Sequence, residues 1–251
     1  MVETLNDGEQ THFFKNKWGT YSATLFSPPE EMNTTHPTII FAHGYRAQKE
    51  YYTWIGDCLA SQGYFALLFT VPSNRLPNPQ QWSDGFGSAI DYLLSKEETL
   101  HESPQKIGVM GHSMGGLGAL LAGSEDPRIE CIVGLAPATL PQHFPILREV
   151  YDIQIPILVQ IGSKDGIVNP ENVKAFFDQL HSKQKSYLEI QGGNHIRFGD
   201  RTAALVIGEY LIRLGALGRR FKDGRAGITF EEQHQLSSRS FLECFNQYLK
   251  N

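Results

Sequence analysis

Residues 107 to 122 read IGVMGHSMGGLGALLA, and this stretch decides the fold. It begins as an apolar run of the kind found in strands that are buried on both faces. The run leads into GHSMG at residues 111–115, a G-x-S-x-G pattern, and a helix start follows directly. This strand–turn–helix setting predicts a nucleophile elbow, in which Ser113 exposes its hydroxyl on a sharp, strained turn.

Outward from the elbow, short apolar runs alternate with amphipathic stretches. The predicted strands are residues 22–26, 38–42, 64–69, 106–110, 131–134, 157–161 and 186–190. The predicted helices are residues 50–61, 80–94, 115–123, 170–180 and 202–214, with a last helix that follows a capping-box pattern at Thr229 and Glu232. Prolines indicate surface loops at residues 71–81 and 137–145.

Strand–helix alternation of this kind predicts right-handed βαβ units. We therefore expect an α/β fold, with a doubly wound, mostly parallel sheet of about eight strands flanked by helices. The first thirty residues read as an antiparallel edge of that sheet. The 251 residues suit a single domain, residues 1–251, because α/β domains often reach this length as one unit.

A serine hydroxyl needs a base, and the base needs an acid that orients it. Asp165 follows the strand at 157–161, and His195 follows the next strand at 186–190. Both residues therefore lie in loops at the carboxyl ends of strands, where open α/β sheets place their sites. The order serine, aspartate, histidine is that of the α/β-hydrolase fold, so we predict Ser113, Asp165 and His195 as a catalytic triad.

An oxyanion hole requires two backbone N–H groups aimed at the developing negative charge. We assign these to Met114, directly after the nucleophile, and to Tyr45 in the loop after the strand at 38–42. Tyr45, whose ring would form a wall of the acyl pocket, and Ile167 are the predicted substrate-binding residues. Asp200 is a rival acid, but we expect it to cap the helix at 202–214. His112 is expected to be structural and to point away from the Ser113 hydroxyl.

Composition restricts the partners of the chain. Hydrophobic residues make up 41% and charged residues 20%, and the formal net charge of −5 argues against a basic nucleic-acid surface. No stretch approaches a membrane span, and no metal or organic cofactor is implied. The three cysteines, Cys58, Cys131 and Cys244, suggest reduced thiols rather than a disulfide framework. The first ten residues lack a signal-peptide pattern, so we expect a cytoplasmic protein; the oligomeric state is left open.

At this point the sequence resembles a known family. The segments GHSMGG, HGY, IPILVQIGSKDGIVNP and YLEIQGGNHIRFGD are similar to the dienelactone-hydrolase-like branch of α/β hydrolases. This branch includes cutinase-like polyester hydrolases and is related to platelet-activating-factor acetylhydrolases. The resemblance implies a carboxylesterase and supports the triad and both oxyanion donors.

The chain departs from the polyester hydrolases at three places. Ala138 stands near the position where they carry a tryptophan platform, Cys244 has no neighbouring cysteine in the sequence, and the excursion at 199–231 is longer. We therefore predict a serine carboxylesterase for small, soluble esters. Lactone, thioester and polyester hydrolysis stay open as alternatives, and so does a hydrolase-fold ligand receptor without fast turnover.

Overall fold

A computed structural model describes residues 3–4, 10–29, 36–72, 78–96, 106–139, 144–202 and 224–250. Its strands are β1 (Glu3–Thr4), β2 (Gln10–Asn16), β3 (Gly19–Phe26), β4 (Thr38–Ala42), β5 (Phe65–Thr70), β6 (Ile107–His112), β7 (Ile129–Leu135), β8 (Ile157–Gly162) and β9 (Lys185–Ile190). Its helices are α1 (Thr53–Ser61), α2 (Pro79–Leu94), α3 (Met114–Glu125), α4 (Phe144–Leu147), α5 (Pro170–Gln179) and α6 (Phe230–Leu249).

The strands form one sheet in the order β1-β2-β3-β5-β4-β6-β7-β8-β9. The six strands from β5 to β9 along this order are parallel, whereas β1, β2 and β3 join at one edge as antiparallel strands. The predicted α/β fold with a mostly parallel sheet is confirmed. The strand order reverses between β4 and β6, so the loops that leave these two strands open onto the crevice where such sheets bind ligands.

Local sequence patterns predicted the bounds of most strands and helices to within a few residues. The predicted helix at 50–61 begins only at Thr53, because Lys49–Tyr51 forms a 3₁₀ turn. The loop predicted at 71–81 is too long, since α2 begins at Pro79 and Gln81 is fully buried. The loop predicted at 137–145 likewise runs into α4. The helix predicted at 202–214 lies almost entirely outside the described residues.

The core lies on both faces of the central strands. Every residue of β4 and of β6 is buried, as the continuous apolar runs predict. On one face, α2 and α3 approach so closely that a Cβ atom on Gly118 would lie 2.3 Å from Cβ of Trp82. On the other face, α6 begins at the predicted capping box and buries Phe241 and Phe245 completely. The sheet is thus covered by helices on both sides.

Cys244 has no neighbouring cysteine in the sequence, but the fold brings one close to it. The Sγ atoms of Cys131, on β7, and Cys244, on α6, are 3.6 Å apart, and both residues are reduced. The two cysteines are separated by 113 positions in the chain, so only the packing of α6 on the sheet brings them together.

The turn between β6 and α3 requires glycine on both sides of Ser113. A Cβ atom on Gly115 would lie 2.1 Å from the carbonyl oxygen of Ala42, the last residue of β4. A Cβ atom on Gly111 would lie 2.2 Å from the carbonyl group of Gly115. Both neighbours are backbone, which cannot turn aside as a side chain can. The G-x-S-x-G spacing is therefore a steric requirement for α3 to start against β4.

Gly115→Ala is expected to lower the free energy of unfolding by about 3 kcal/mol or more, because the new methyl group overlaps backbone. Gly87→Ala is the matched control: it lies inside α2, where a Cβ atom would meet only Asp126 Oδ2 at 3.9 Å. That substitution is expected to raise stability by about 0.5–1 kcal/mol through helix propensity. Urea unfolding measures both values; equal stabilities of the two variants would contradict the steric requirement.

Candidate active site

Ser113 occupies the turn predicted for the elbow. Its backbone has φ 54° and ψ −114°, a conformation that costs energy for a residue with a side chain. Three backbone hydrogen bonds hold it there: its N–H donates to Leu135 O at 2.9 Å, and its carbonyl accepts from Leu117 and Ala138 at 3.0 Å. The residue is 9% exposed at the N-terminus of α3, where the helix dipole favours negative charge.

Asp165 and His195 are joined directly. His195 Nδ1 lies 2.7 Å from Asp165 Oδ2, and the aspartate side chain is fully buried. The other carboxylate oxygen accepts N–H groups from Ile167 at 2.9 Å and Val168 at 2.8 Å, so both oxygens are held. An acid fixed in this way presents one oxygen to the imidazole and orients the ring so that Nε2 points away from it.

The histidine lies against the elbow. The ring of His195 is 4.4 Å, centroid to centroid, from the ring of His112, the residue directly before Ser113. The structure therefore gathers Ser113, Asp165 and His195 at the carboxyl ends of β6, β8 and β9. This is the edge of the sheet at which the sequence placed them.

The two predicted oxyanion donors flank the serine. Met114 is the first residue of α3, so its N–H has no intrahelical acceptor. The loop after β4 touches the elbow from the other side, because a Cβ atom on Gly44 would lie 3.1 Å from Cβ of Ser113. Tyr45 follows this glycine and is 36% exposed. The guanidinium carbon of Arg46 lies over the Tyr45 ring, 5.2 Å from its centroid.

His43, whose role was not predicted from the sequence, anchors the loop after β4, residues 43–46, which we call the oxyanion loop. His43 is buried, and its Nδ1 donates to the carbonyl of Gly44 at 2.6 Å. Its Nε2 accepts the N–H of Val71 at 2.9 Å, and its carbonyl accepts the indole N–H of Trp82 at 2.8 Å. Burial lowers the pKa of His43 to about 4, so the ring is neutral and keeps one donor and one acceptor.

His112 is buried and bonded away from the serine, in line with its predicted structural place. Its Nδ1 lies 2.8 Å from the hydroxyl oxygen of Tyr52. Burial, aided by the neighbouring His195, lowers the pKa of His112 well below its ordinary value. The prediction did not foresee the contact with His195, because that residue is far away in the chain.

Asp200 has a role that the sequence did not predict, at the start of α1. Its carboxylate accepts the backbone N–H of Thr53 at 2.6 Å, the Thr53 hydroxyl at 3.0 Å and the N–H of Trp54 at 3.4 Å. Asp200 therefore caps α1 from a distance of 147 positions, whereas the helix start predicted at 202–214 lies almost entirely outside the described residues. Its own N–H donates to Tyr51 O at 2.7 Å. The Asp200 carboxylate bonds the start of α1, whereas His195 Nδ1 bonds Asp165. Asp200 is therefore not the acid that orients His195.

The remaining predicted residue, Ile167, lies in the acid loop. Its N–H holds Asp165, and its half-buried side chain packs against the edge of the core. Substrate binding by Ile167 stays a prediction. Ala138, at the position of the tryptophan platform, is buried beneath the elbow, where its N–H supports Ser113. It offers no surface to a ligand.

Within the described ranges, no group of three or more histidine, cysteine, aspartate or glutamate side chains is arranged to hold a metal ion. None of the helices in these ranges combines the length and hydropathy that a membrane span requires.

Known structures share this architecture. Est1E from Butyrivibrio proteoclasticus superposes with a TM-score of 0.67 over 94% of this chain and 98% of its own, at 16% sequence identity. A cold-adapted esterase from an Arctic intertidal metagenomic library gives a TM-score of 0.63 over 84% of this chain and 95% of its own, at 20% identity. The fold is that of the α/β hydrolases, as predicted.

The sequence comparison is more specific. The family described as PETase, PET hydrolase-like, matches residues 10–226, and the chain belongs to this family. Bis(hydroxyethyl) terephthalate hydrolase of Streptomyces coelicolor is 29% identical over 194 residues, which cover 75% of this chain and 59% of that protein. Cutinase 2 of Thermobifida cellulosilytica is 27% identical over 213 residues, covering 82% and 75%. The predicted resemblance to cutinase-like hydrolases is confirmed.

Acidification is expected to destabilise the protein between pH 6.5 and about pH 4. In this window the unfolded chain protonates His43 and the folded chain does not, so the free energy of unfolding falls as the pH falls. The pKa difference corresponds to roughly 3 kcal/mol across the window, and His112 acts in the same direction.

Urea unfolding at several pH values measures this effect. His43→Asn can retain the donor to the Gly44 carbonyl but cannot titrate, so its stability should depend less on pH than that of the wild type. A wild-type stability that is flat or rises on acidification would contradict the prediction, and so would an unchanged slope in His43→Asn.

Proposed function

We propose that the chain is a serine carboxylesterase that works through an acyl-enzyme, with Ser113 as nucleophile, His195 as base and Asp165 as the orienting acid. The observation that carries this proposal is the buried hydrogen bond between Asp165 and His195 at 2.7 Å, set against an elbow serine held at φ 54°. Family membership supports the same chemistry, because the named relatives include cutinases and an ester hydrolase.

The geometry suggests how the reaction proceeds. His195 accepts the proton of the Ser113 hydroxyl while the oxygen attacks the ester carbonyl, and Asp165 stabilises the imidazolium that forms. The N–H groups of Met114 and Tyr45 bind the oxyanion of the tetrahedral intermediate. His195 then protonates the departing alcohol. A water molecule, activated by His195, then attacks the acyl-enzyme in the same way and releases the carboxylic acid.

We propose small, soluble esters with short to medium acyl chains as substrates. Ala138 is buried and provides no aromatic platform, so the exposed ring of Tyr45 is the main aromatic surface beside the serine among the described residues. A wall of this kind discriminates by about 1–3 kcal/mol per methylene group, which gives graded chain-length preference. Location in the cytoplasm stays a prediction from the sequence.

Polyester hydrolysis is the second candidate, favoured by membership of the PET hydrolase-like family. Lactones and thioesters would be served by the same groups, since all three bond types pass through a tetrahedral oxyanion. A hydrolase-fold receptor would keep the residues but turn over slowly.

Asp165→Asn is expected to lower kcat by about 10⁴, because an asparagine can donate to His195 Nδ1 and so favour the wrong tautomer. Asp200→Asn is the matched control, since an asparagine can still cap α1, and its kcat should stay within about threefold of wild type. Steady-state kinetics on p-nitrophenyl butyrate measure both. The reverse ranking of the two variants would move the acid to Asp200.

A p-nitrophenyl ester series from two to sixteen carbons tests the substrate class, with Ser113→Ala as the inactive control. We expect kcat/KM to peak at or below roughly eight carbons, because a rigid wall accommodates only part of a longer chain. A maximum at the longest chains with activation at an emulsion would indicate a lipase. Efficient release of monomers from a polyester film would favour the second candidate, and failure of the wild type to react with a fluorophosphonate would indicate a receptor.

A further inference from the structure

Tyr52 lies behind the active site and links it to its surroundings. Tyr52 is 3% exposed and is the residue directly before α1. Its ring packs on Phe41 of β4, with centroids 4.9 Å apart. Its hydroxyl reaches His112, whose ring lies on that of His195. A single buried hydroxyl is therefore two contacts away from the catalytic base.

The hydrogen bonds around this hydroxyl define where its proton lies. Burial raises the pKa of the Tyr52 phenol, an effect that the nearby backbone of Gly44 partly opposes, so the hydroxyl keeps its proton. That proton can be donated to His112 Nδ1, which lies 2.8 Å from the hydroxyl oxygen. His112 then carries its proton on Nε2.

The far side of His112 faces the catalytic histidine. Among the described residues, His112 Nε2 is buried with no partner at hydrogen-bonding distance. The backbone carbonyl of His195 nevertheless interacts with this ring and partly offsets the lowering of its pKa. A protonated Nε2 suits this carbonyl, whereas an unprotonated one would repel it. The tautomer set by Tyr52 thus matches the surroundings of His195.

We propose that Tyr52 is a positioning residue for ester hydrolysis: its hydroxyl holds His112 in one tautomer and orientation, and the His112 ring holds that of His195. The base must keep Nε2 aimed at the serine hydroxyl through both halves of the reaction. Asp165 fixes one end of the imidazole, and the neighbouring His112 ring limits its tilt. This inference rests on the proposed function, because it assigns His195 as the base.

Tyr52→Phe tests the role, because it removes the hydroxyl and leaves the ring on Phe41. We expect kcat on p-nitrophenyl butyrate to fall by between about fivefold and a hundredfold with KM within twofold, since misplacement of a catalytic group affects chemistry more than binding. The second-order rate of fluorophosphonate labelling should fall in parallel. Tyr64→Phe is the matched control: Tyr64 is also fully buried, but its hydroxyl bonds Asn246 Oδ1 at 2.9 Å beneath α6.

A double-mutant cycle identifies the route. If Tyr52 acts through His112, then Tyr52→Phe should change kcat by less than twofold in a His112→Leu background. The melting temperatures of the variants show whether any fall in kcat is caused by unfolding. Should His112→Leu fail to fold, the downfield proton resonance of the His195–Asp165 hydrogen bond replaces the cycle, and it should broaden or shift in Tyr52→Phe and stay unchanged in Tyr64→Phe.

Three results would overturn the inference. One is a Tyr52→Phe kcat within twofold of wild type; another is an equal loss in Tyr64→Phe. The third is a fall in kcat on Tyr52→Phe that is as large in the His112→Leu background as in the wild type. Where the resonance is measured instead, the third is an unchanged signal in Tyr52→Phe. An active wild type with an unaffected Tyr52→Phe rejects only the positioning role. A wild type that neither hydrolyses esters nor reacts with the fluorophosphonate rejects the proposed function itself, and this inference with it.

Discussion

The contact between the start of α3 and the end of β4 is the constraint on which the rest of the structure depends. The absent side chain of Gly115 lets the helix begin against the carbonyl of Ala42. Ser113 must then turn through positive φ to join strand and helix. Because the oxyanion loop leaves β4 directly after Ala42, the same contact sets Gly44 beside the serine. This single backbone contact therefore positions both the nucleophile and the oxyanion loop.

A second layer of neutral, buried groups holds these parts in place. The His43 ring bonds the carbonyl of Gly44 and the N–H of Val71, and the Tyr52 hydroxyl bonds His112. Burial keeps both imidazoles uncharged, which lets each act as donor on one nitrogen and acceptor on the other. Charged histidines could donate only. The dry interior is therefore what lets His43 form a hydrogen bond on each ring nitrogen.

Sequence reasoning succeeded where the signal is local. Asp165 and His195 each follow a predicted strand within a few residues, so pattern and chain order were enough to place them at the correct edge of the sheet. It failed for contacts between distant segments. The cap that Asp200 supplies to α1 and the Cys131–Cys244 pair join segments more than a hundred positions apart. No periodicity encodes such pairings, because they depend on how whole elements pack.

The cap that Asp200 places on α1 also orders events during protein synthesis. The carboxylate and the helix start that it satisfies are 147 positions apart, so α1 leaves the ribosome long before its cap exists. Phe198, two residues before the cap, accepts the indole N–H of Trp54 and lies against His112. The nascent chain can therefore form most of its parallel sheet while its reactive centre is still incomplete. Maturation of the site is a late step that the last quarter of the chain completes.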